Sequence, residues 1–185
     1  MVSDTALRDG PALVARARRL LERVPDPEIP VLSIRELGIL RDVRALADGG
    51  VEVWITPTYS GCPATEQIAG DIVDVLRASG IRATVRTRLA PAWTTDWIDA
   101  AAREKLRAFG IAPPRPVYAS EPVPVRLYGV MRKSDEAYDT TEQTVCCPRC
   151  GSSQTQQLSR FASTACKALY RCLDCKEPFD YFKPH

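Results

Sequence analysis

The chain has 185 residues, 45% of them apolar, and 25 basic against 23 acidic side chains give a formal net charge of +2. That length suits one or two domains with an adequate core, and the near balance of charge argues against a strongly basic nucleic-acid binder. The one histidine is His185, which excludes nearly every histidine-dependent triad, acid–base pair or mononuclear oxygenase site.

In chain order, Leu13, Ala17, Leu20, Leu21 and Val24 recur at helical spacing and predict an amphipathic helix that Pro25 stops. Residues 41–47 and 51–57 read as two strands joined by the hairpin signal Asp48-Gly49-Gly50. Val51, Val53 and Ile55 then share one face of the second strand, and Glu52, Trp54 and Thr56 the other. Ile68, Ile72, Val75 and Leu76 mark a helix that ends at Gly80. A third strand follows, with Ile81, Ala83, Val85, Thr87 and Leu89 alternating with Arg82, Arg86 and Arg88. That arginine row fits a solvated sheet face better than a binding site. A last helix is expected after Thr94 or Thr95 as its cap, with Ile98, Ala102, Leu106 and Phe109 inward and Gly110 beyond its end. The pattern predicts an α+β domain over residues 1–111. Pro113, Pro114, Pro116, Pro122 and Pro124 follow, a third of the 15 prolines, and predict an extended spacer over residues 112–141, with a lead-in strand to the next unit.

Residues 142–185 carry the most specific signal. Cys147-Pro-Arg-Cys150 and Cys172-Leu-Asp-Cys175 each put two thiolates on one tight turn, and 21 residues separate the pairs. Two such turns face to face supply four sulfurs to a tetrahedral Zn2+, with iron as the alternative ion in the same cage. Gly151 gives the first turn its backbone freedom. So short a unit rarely sustains an apolar core of its own. Metal binding of this type contributes about 10–16 kcal/mol, comparable with the entire stability of an ordinary domain at about 5–15 kcal/mol. The expectation is a β-rich ribbon that folds only with its ion. Cys146 and Cys166 remain over, as alternative ligands, a second transfer site or packed thiols. The odd total of seven cysteines suits a reducing cytoplasm better than a disulfide framework. No apolar run is long enough to span a membrane, and Met1-Val2-Ser3-Asp4 lacks a secretory pattern. A cytoplasmic location follows as the expectation.

Two further motifs could carry function. Asp26-Pro27-Glu28-Ile29-Pro30 sets two carboxylates on a proline-stiffened turn, where acidic residues are most often solvated or capping. Thr56-Pro57-Thr58-Tyr59-Ser60-Gly61-Cys62-Pro63 delivers a cysteine to the start of a helix whose first position falls at Pro63. There the helix dipole and backbone N–H groups favour thiolate, with Thr56, Thr58, Tyr59 and Ser60 as hydroxyl donors. The alternative is an inert buried thiol.

Together, Asp26-Pro27-Glu28-Ile29-Pro30, Leu37-Gly38, Thr56-Pro57-Thr58 with Cys62-Pro63, and Pro91-Ala92-Trp93-Thr94 resemble the metal–sulfur cluster biosynthetic domain. That family includes the bacterial SufT-like proteins and the eukaryotic cytosolic iron–sulfur assembly factors. The ribbon segments Thr164-Ala165-Cys166-Lys167-Ala168-Leu169-Tyr170-Arg171-Cys172 and Glu177-Pro178-Phe179-Asp180-Tyr181-Phe182-Lys183 narrow the resemblance to the PaaD-type family encoded with phenylacetyl-CoA ring epoxidase. The resemblance implies a small three-stranded mixed sheet packed by helices, followed by the zinc ribbon. It implies an accessory factor, not catalytic alone, for the ring-1,2-phenylacetyl-CoA epoxidase of aerobic phenylacetate catabolism, assisting assembly of its iron–sulfur or diiron centre. Cys62 matches the family's reactive cysteine and would handle a transient iron–sulfur cluster or iron, supported by Asp26, Glu28, Thr56 and Thr58. A lone cysteine cannot hold a cluster, so a second subunit or the client would add a ligand. Expected partners are the epoxidase subunits, above all the iron–sulfur flavin reductase, with general iron–sulfur assembly proteins and a second copy of the chain as further partners.

A different class of reading is a zinc-ribbon adaptor for nucleic acid or protein. It would use Arg149, Arg160, Lys167, Arg171, Lys176 and Lys183 beside Phe161, Tyr170, Phe179, Tyr181 and Phe182. A thiol enzyme built on Cys62 ranks last, because no histidine is available as its base.

Overall fold

A computed structural model describes residues 4–115 and 144–185. The first helix, α1 (Asp4–Leu21), begins earlier than the apolar spacing predicts and contains Pro11. Ala17 and Leu21 are fully buried, and Val24 continues the stripe beyond the helix end. The hairpin forms as expected from β1 (Leu40–Ala45) and β2 (Val51–Ile55), paired antiparallel. Val51, Val53 and Ile55 are buried completely, since alternation sends them all to the helix-covered face.

Helix α2 (Ala64–Ala78) buries Ala64, Ile68, Ile72 and Leu76 and returns the chain to β3 (Ala83–Thr87), which pairs parallel with β2. The order β1-β2-β3 is the small mixed sheet that the family resemblance implied. Pro63 sits one position earlier than expected, as the cap residue before α2. On the open face, the indole N–H of Trp54 donates to Glu52, Arg86 pairs with Glu52 at 3.2 Å, and Arg88 lies 5.0 Å over the Trp54 ring. These arginines are engaged by neighbours on their own sheet.

The last helix differs from expectation in two respects. Thr94 caps a short 3-10 turn (Thr95–Trp97), whereas α3 (Ala100–Phe109) is capped by Asp99, whose carboxylate accepts from the Ala102 N–H at 2.7 Å. Phe109, expected inward, is 56% exposed. Ala102 and Leu106 already fill the buried stripe, and beyond Gly110 the chain turns so that Ile111 takes the next inward position.

Ile111 opens a two-residue strand, β4 (Ile111–Ala112), that belongs to the second sheet, pairing parallel with β7 (Pro178–Phe182). The boundary expected after residue 111 therefore falls within β4. Most of the expected spacer, with its lead-in strand, lies outside the described residues. The second sheet runs β4-β7-β6-β5, where β5 is Thr155–Ser159 and β6 is Lys167–Cys172.

The two sheets share apolar contacts. Phe182, fully buried at the end of β7, and Cys166, just before β6, belong to the same core cluster as Leu37, Ile55 and Leu106. Trp93 is the bridge. Its indole N–H donates to the Leu37 carbonyl at 2.9 Å, while its ring meets Phe182 at 6.0 Å and His185 at 5.9 Å. Gly38 lies beneath this junction with φ +71°, and a Cβ there would fall 2.7 Å from the Trp97 Cβ, so only glycine fits.

We expect Phe182→Ala to cost about 3–5 kcal/mol in denaturant unfolding, the range for deleting a buried aromatic. Phe109→Ala should stay within about 0.5 kcal/mol, as for an exposed position.

Candidate metal centre and thiol site

The two CxxC turns close on each other. Cys147, Cys150, Cys172 and Cys175 bring their sulfurs within 4.8 Å of one another. Cys147 stands 3.7 Å from Cys175, and Cys150 stands 3.6 Å from Cys172. A tetrahedral ion with bonds of about 2.3 Å to sulfur sets its ligands about 3.8 Å apart, so the four thiols fit such an ion. The backbone explains the closure. In the first turn the Gly151 N–H donates to the Cys147 carbonyl at 2.9 Å, with Gly151 at φ +77°. In the second, the Cys172 N–H donates to the Glu177 carbonyl at 3.0 Å. Burial opposes a thiolate at Cys172. The N–H groups of Cys175 and Asp174, with the Cys150 and Cys175 thiols, outweigh it and bring Cys172 down to about 6.

The remaining two ribbon cysteines separate. Cys146 is exposed beside the first turn and lies outside the four-sulfur group, whereas Cys166 is 2% exposed and faces the first sheet unit. There the Cys166 thiol donates to the Glu28 carboxylate at 3.8 Å and meets the Thr164 hydroxyl at 3.1 Å. The acidic turn and the ribbon thus meet across 138 residues of sequence.

The two carboxylates of that turn do different work. Asp26 is 5% exposed, and its side chain accepts from the N–H groups of Glu28 and Ile29 at 2.9 and 2.8 Å. It shapes the turn. Burial raises its pKa, against the two N–H donors and Lys167. Glu28, by contrast, turns its carboxylate toward the Cys166 thiol. Burial and then the Asp26 charge raise its pKa.

Cys62 is half-buried in the loop before α2, where its N–H donates to the Tyr59 carbonyl at 3.1 Å. The helix start was expected to favour its thiolate, but the balance goes the other way. Burial raises the Cys62 pKa and Glu28 adds to the rise, outweighing the Ala64 N–H and the Thr58 and Thr65 hydroxyls. Cys166 follows the same pattern: burial, reinforced by Glu28 and Asp26, pushes it up to about 11. Tyr59 joins the group, its hydroxyl pKa raised by burial and then by Cys62, Glu28 and Cys166. Thr56 is buried at the end of β2, where its N–H donates to the Ile39 carbonyl at 2.9 Å.

Sequence reasoning set Lys167 among the ribbon's basic surface residues, but it is 5% exposed and pairs with Asp180 at 3.3 Å. Its charge acts on Asp26, Glu28 and Cys166. Only the docking of the ribbon creates that environment, and no local pattern announces it. The ribbon's aromatics are engaged too. Tyr170 packs on Phe179 and Tyr181 at 5.9 and 5.6 Å, and Phe182 packs on Trp93. Phe161 alone of the five is exposed, at 63%, with the Lys183 ammonium 4.4 Å from its ring centroid. Among the described residues, no helix is long and apolar enough to cross a membrane.

Comparison with known proteins supports both units. Residues 132–183 match the family described as PaaD zinc beta ribbon domain, and residues 15–86 the family described as iron-sulfur cluster assembly protein. Over 167 residues the chain is 47% identical to one subunit of the "Putative 1,2-phenylacetyl-CoA epoxidase" of Escherichia coli (strain K12), covering 89% of this chain and 88% of that one. It is also 36% identical over 80 residues to the "Fe-S protein maturation auxiliary factor" of Porphyromonas gingivalis (strain ATCC BAA-308 / W83), covering 42% of this chain and 75% of that protein. A solved DUF59 domain of unknown function from Bacillus anthracis aligns at 27% identity and a TM-score of 0.49, over 54% of this chain and 96% of that one.

Two outcomes follow from the geometry. Cys150→Ser should abolish ribbon metal and the ribbon's cooperative melt, whereas Cys62→Ser should retain both; metal content and thermal melts separate the two. Glu28→Gln removes an anion that disfavours the Cys62 thiolate. The pH midpoint of Cys62 alkylation by iodoacetamide, followed site by site with mass spectrometry, should move lower. A midpoint that stays or rises would contradict the assigned cause.

Proposed function

Because the chain belongs to the family of this Escherichia coli epoxidase component, we propose that it is a maturation factor for a phenylacetyl-CoA epoxidase system. Its role is to assist assembly of an iron–sulfur or diiron centre in that system, as an accessory component in the cytoplasm. A half-buried Cys62 just ahead of α2, within the electrostatic reach of Glu28, carries this reading. A half-buried thiol beside a carboxylate can ligate iron or accept a sulfur-bound unit. Its elevated pKa also keeps it protonated until a cation arrives. Asp26 sets the turn that presents Glu28, and the Thr58 and Thr65 hydroxyls favour the thiolate once it forms.

The four-cysteine group serves a different purpose. With all four positions filled by protein sulfur, a bound Zn2+ has no site for substrate and holds the ribbon together. The iron–sulfur or iron unit is cargo, handled at Cys62, while the ribbon's ion is resident. The iron–sulfur flavin reductase of the epoxidase system is the proposed client, and the ribbon docks it.

The test is the iron and acid-labile sulfide content of the reductase produced with this protein, without it, and with its Cys62→Ser variant. Loss of cluster in both defective cases is the expected result. Full occupancy in all three would remove the reductase as client and refute the role of the thiol there.

A further inference from the structure

Strand β5 ends the ribbon sheet, whose order runs β4-β7-β6-β5. A free edge presents unpaired backbone N–H and C=O groups, and folded proteins guard such edges with charge, proline or shortness. The other end strands follow that rule. β4 is two residues long, β1 carries Arg41, Asp42 and Arg44, and β3 carries Arg86 between the flanking Arg82 and Arg88. β5 reads Thr155-Gln156-Gln157-Leu158-Ser159, with no charge and no proline. The Gln154 carbonyl accepts from the Leu173 N–H at 2.7 Å. Alternation along the antiparallel pair then turns the Thr155 and Gln157 backbone groups to the open side. Among the described residues, no strand covers that side.

The face beside this edge is apolar and basic. Cys172 is buried in the ribbon's core cluster with Tyr170 packed against it, so the alternate residues Arg171 and Leu173 point outward. Gln156 stands opposite Arg171, and the register shift between Gln157 and Ser159 makes Leu158 an extra residue of the strand. Leu158 is 51% exposed, Leu173 41% and Phe161, two residues past the strand, 63%. Among the described residues, five large apolar side chains are exposed, and three of them lie here. Residues 144–185 hold six basic side chains against three acidic ones, of which Asp180 is taken by Lys167. Arg160 follows β5, and the Lys183 ammonium beside the Phe161 ring donates to the Arg160 carbonyl at 3.3 Å. Asp174 and Glu177 belong to the second cysteine turn, at the other end of the β5–β6 pair.

We infer that the open edge of β5, with Leu158, Phe161 and Leu173 beside it, is a docking surface for an extended, acidic segment of the protein client. The segment adds to β5 as a further strand. Its backbone pairs with Thr155 and Gln157, its apolar side chains cover Leu158 and Phe161, and its carboxylates meet Arg160 and Lys183. This gives the ribbon's docking role a location and rests on the maturation reading for the identity of the client. A second copy of the chain would bring the same basic flank to the contact, with no acid to match it. Nucleic acid also fits less well. Leu158 and Leu173 offer no ring for base stacking, whereas the open amide and carbonyl groups match a peptide backbone.

The test is hydrogen exchange on the zinc-loaded full chain, alone and with the purified reductase or the diiron oxygenase, read by mass spectrometry across residues 154–162. One of the two proteins should slow exchange at the Thr155 and Gln157 amides by about tenfold or more and leave β3 unchanged. Phe161→Ala, Leu158→Asp and Arg160→Glu should each weaken that complex by about tenfold, as expected for central interface positions. Phe109→Ala, exposed elsewhere, should bind as wild type. Retention of one zinc and a wild-type thermal melt identifies variants that remain folded. Should Leu158→Asp fail that criterion, the other two decide. Protection by neither protein would overturn the surface, as would folded variants that all bind like wild type. Protection that grows with the concentration of the chain alone, or that only a mixed-sequence single-stranded oligonucleotide confers, would also overturn it. A protected β5 beside a reductase fully loaded without this chain would refute the maturation reading and leave the surface standing. Lost loading with β5 unprotected would do the reverse.

Discussion

The contact between Phe182 and Trp93 organises the molecule. Phe182 is fully buried at the end of β7, and Trp93 is pinned from the other side by its bond to the Leu37 carbonyl. Around this pair, the Thr95 N–H donates to the His185 carbonyl and the Lys183 N–H to the Cys166 carbonyl. These bonds fix where β6 begins, and hence where Cys166 and Lys167 lie against the acidic turn. The dependence extends back to the metal centre. Strands β6 and β7 lie between the second cysteine turn and the Trp93 seam, with Cys172 ending β6 and Phe182 ending β7. An ion that orders the ribbon therefore also orders the presentation of Cys166.

Electrostatics divides the sulfur chemistry in two. At the ribbon, backbone N–H groups and the Cys150 and Cys175 thiols bring Cys172 down, and Cys172 in turn pushes Cys150 and Cys175 up. At the docking seam, burial and two carboxylates resist negative charge on Cys62 and Cys166. The first environment favours one thiolate, at Cys172, whereas the second keeps Cys62 and Cys166 as thiols.

Most of the aromatic side chains that suggested a nucleic-acid adaptor, and Lys167 with them, have other partners. Lys167 is paired in the interior, Tyr170, Phe179 and Tyr181 pack on one another, and Phe182 belongs to the main core. The arginines around Trp54 are likewise engaged by Glu52 and the indole ring. Stacking platforms for bases need exposed aromatic faces, and these rings are needed for packing.

The sequence alone determined whatever depends on spacing along the chain. Alternation at Val51, Val53 and Ile55 specified the central strand, apolar spacing at Ile68, Ile72 and Leu76 specified α2, and the two CxxC turns specified the metal centre. Each is a local rule, read from neighbours a few residues apart. Local rules misplaced Phe109, because the turn at Gly110 lets Ile111 fill the core instead, and they chose Thr94 or Thr95 over Asp99 as the cap of α3. The thiolate expected at Cys62 failed for a related reason: a helix start is visible in sequence, whereas burial and the Glu28 charge are not. Only the tertiary structure joined Glu28 to Cys166. The docking of Phe182 on Trp93 acts across nearly ninety residues, and no periodicity in the chain records which distant surfaces will exclude water together.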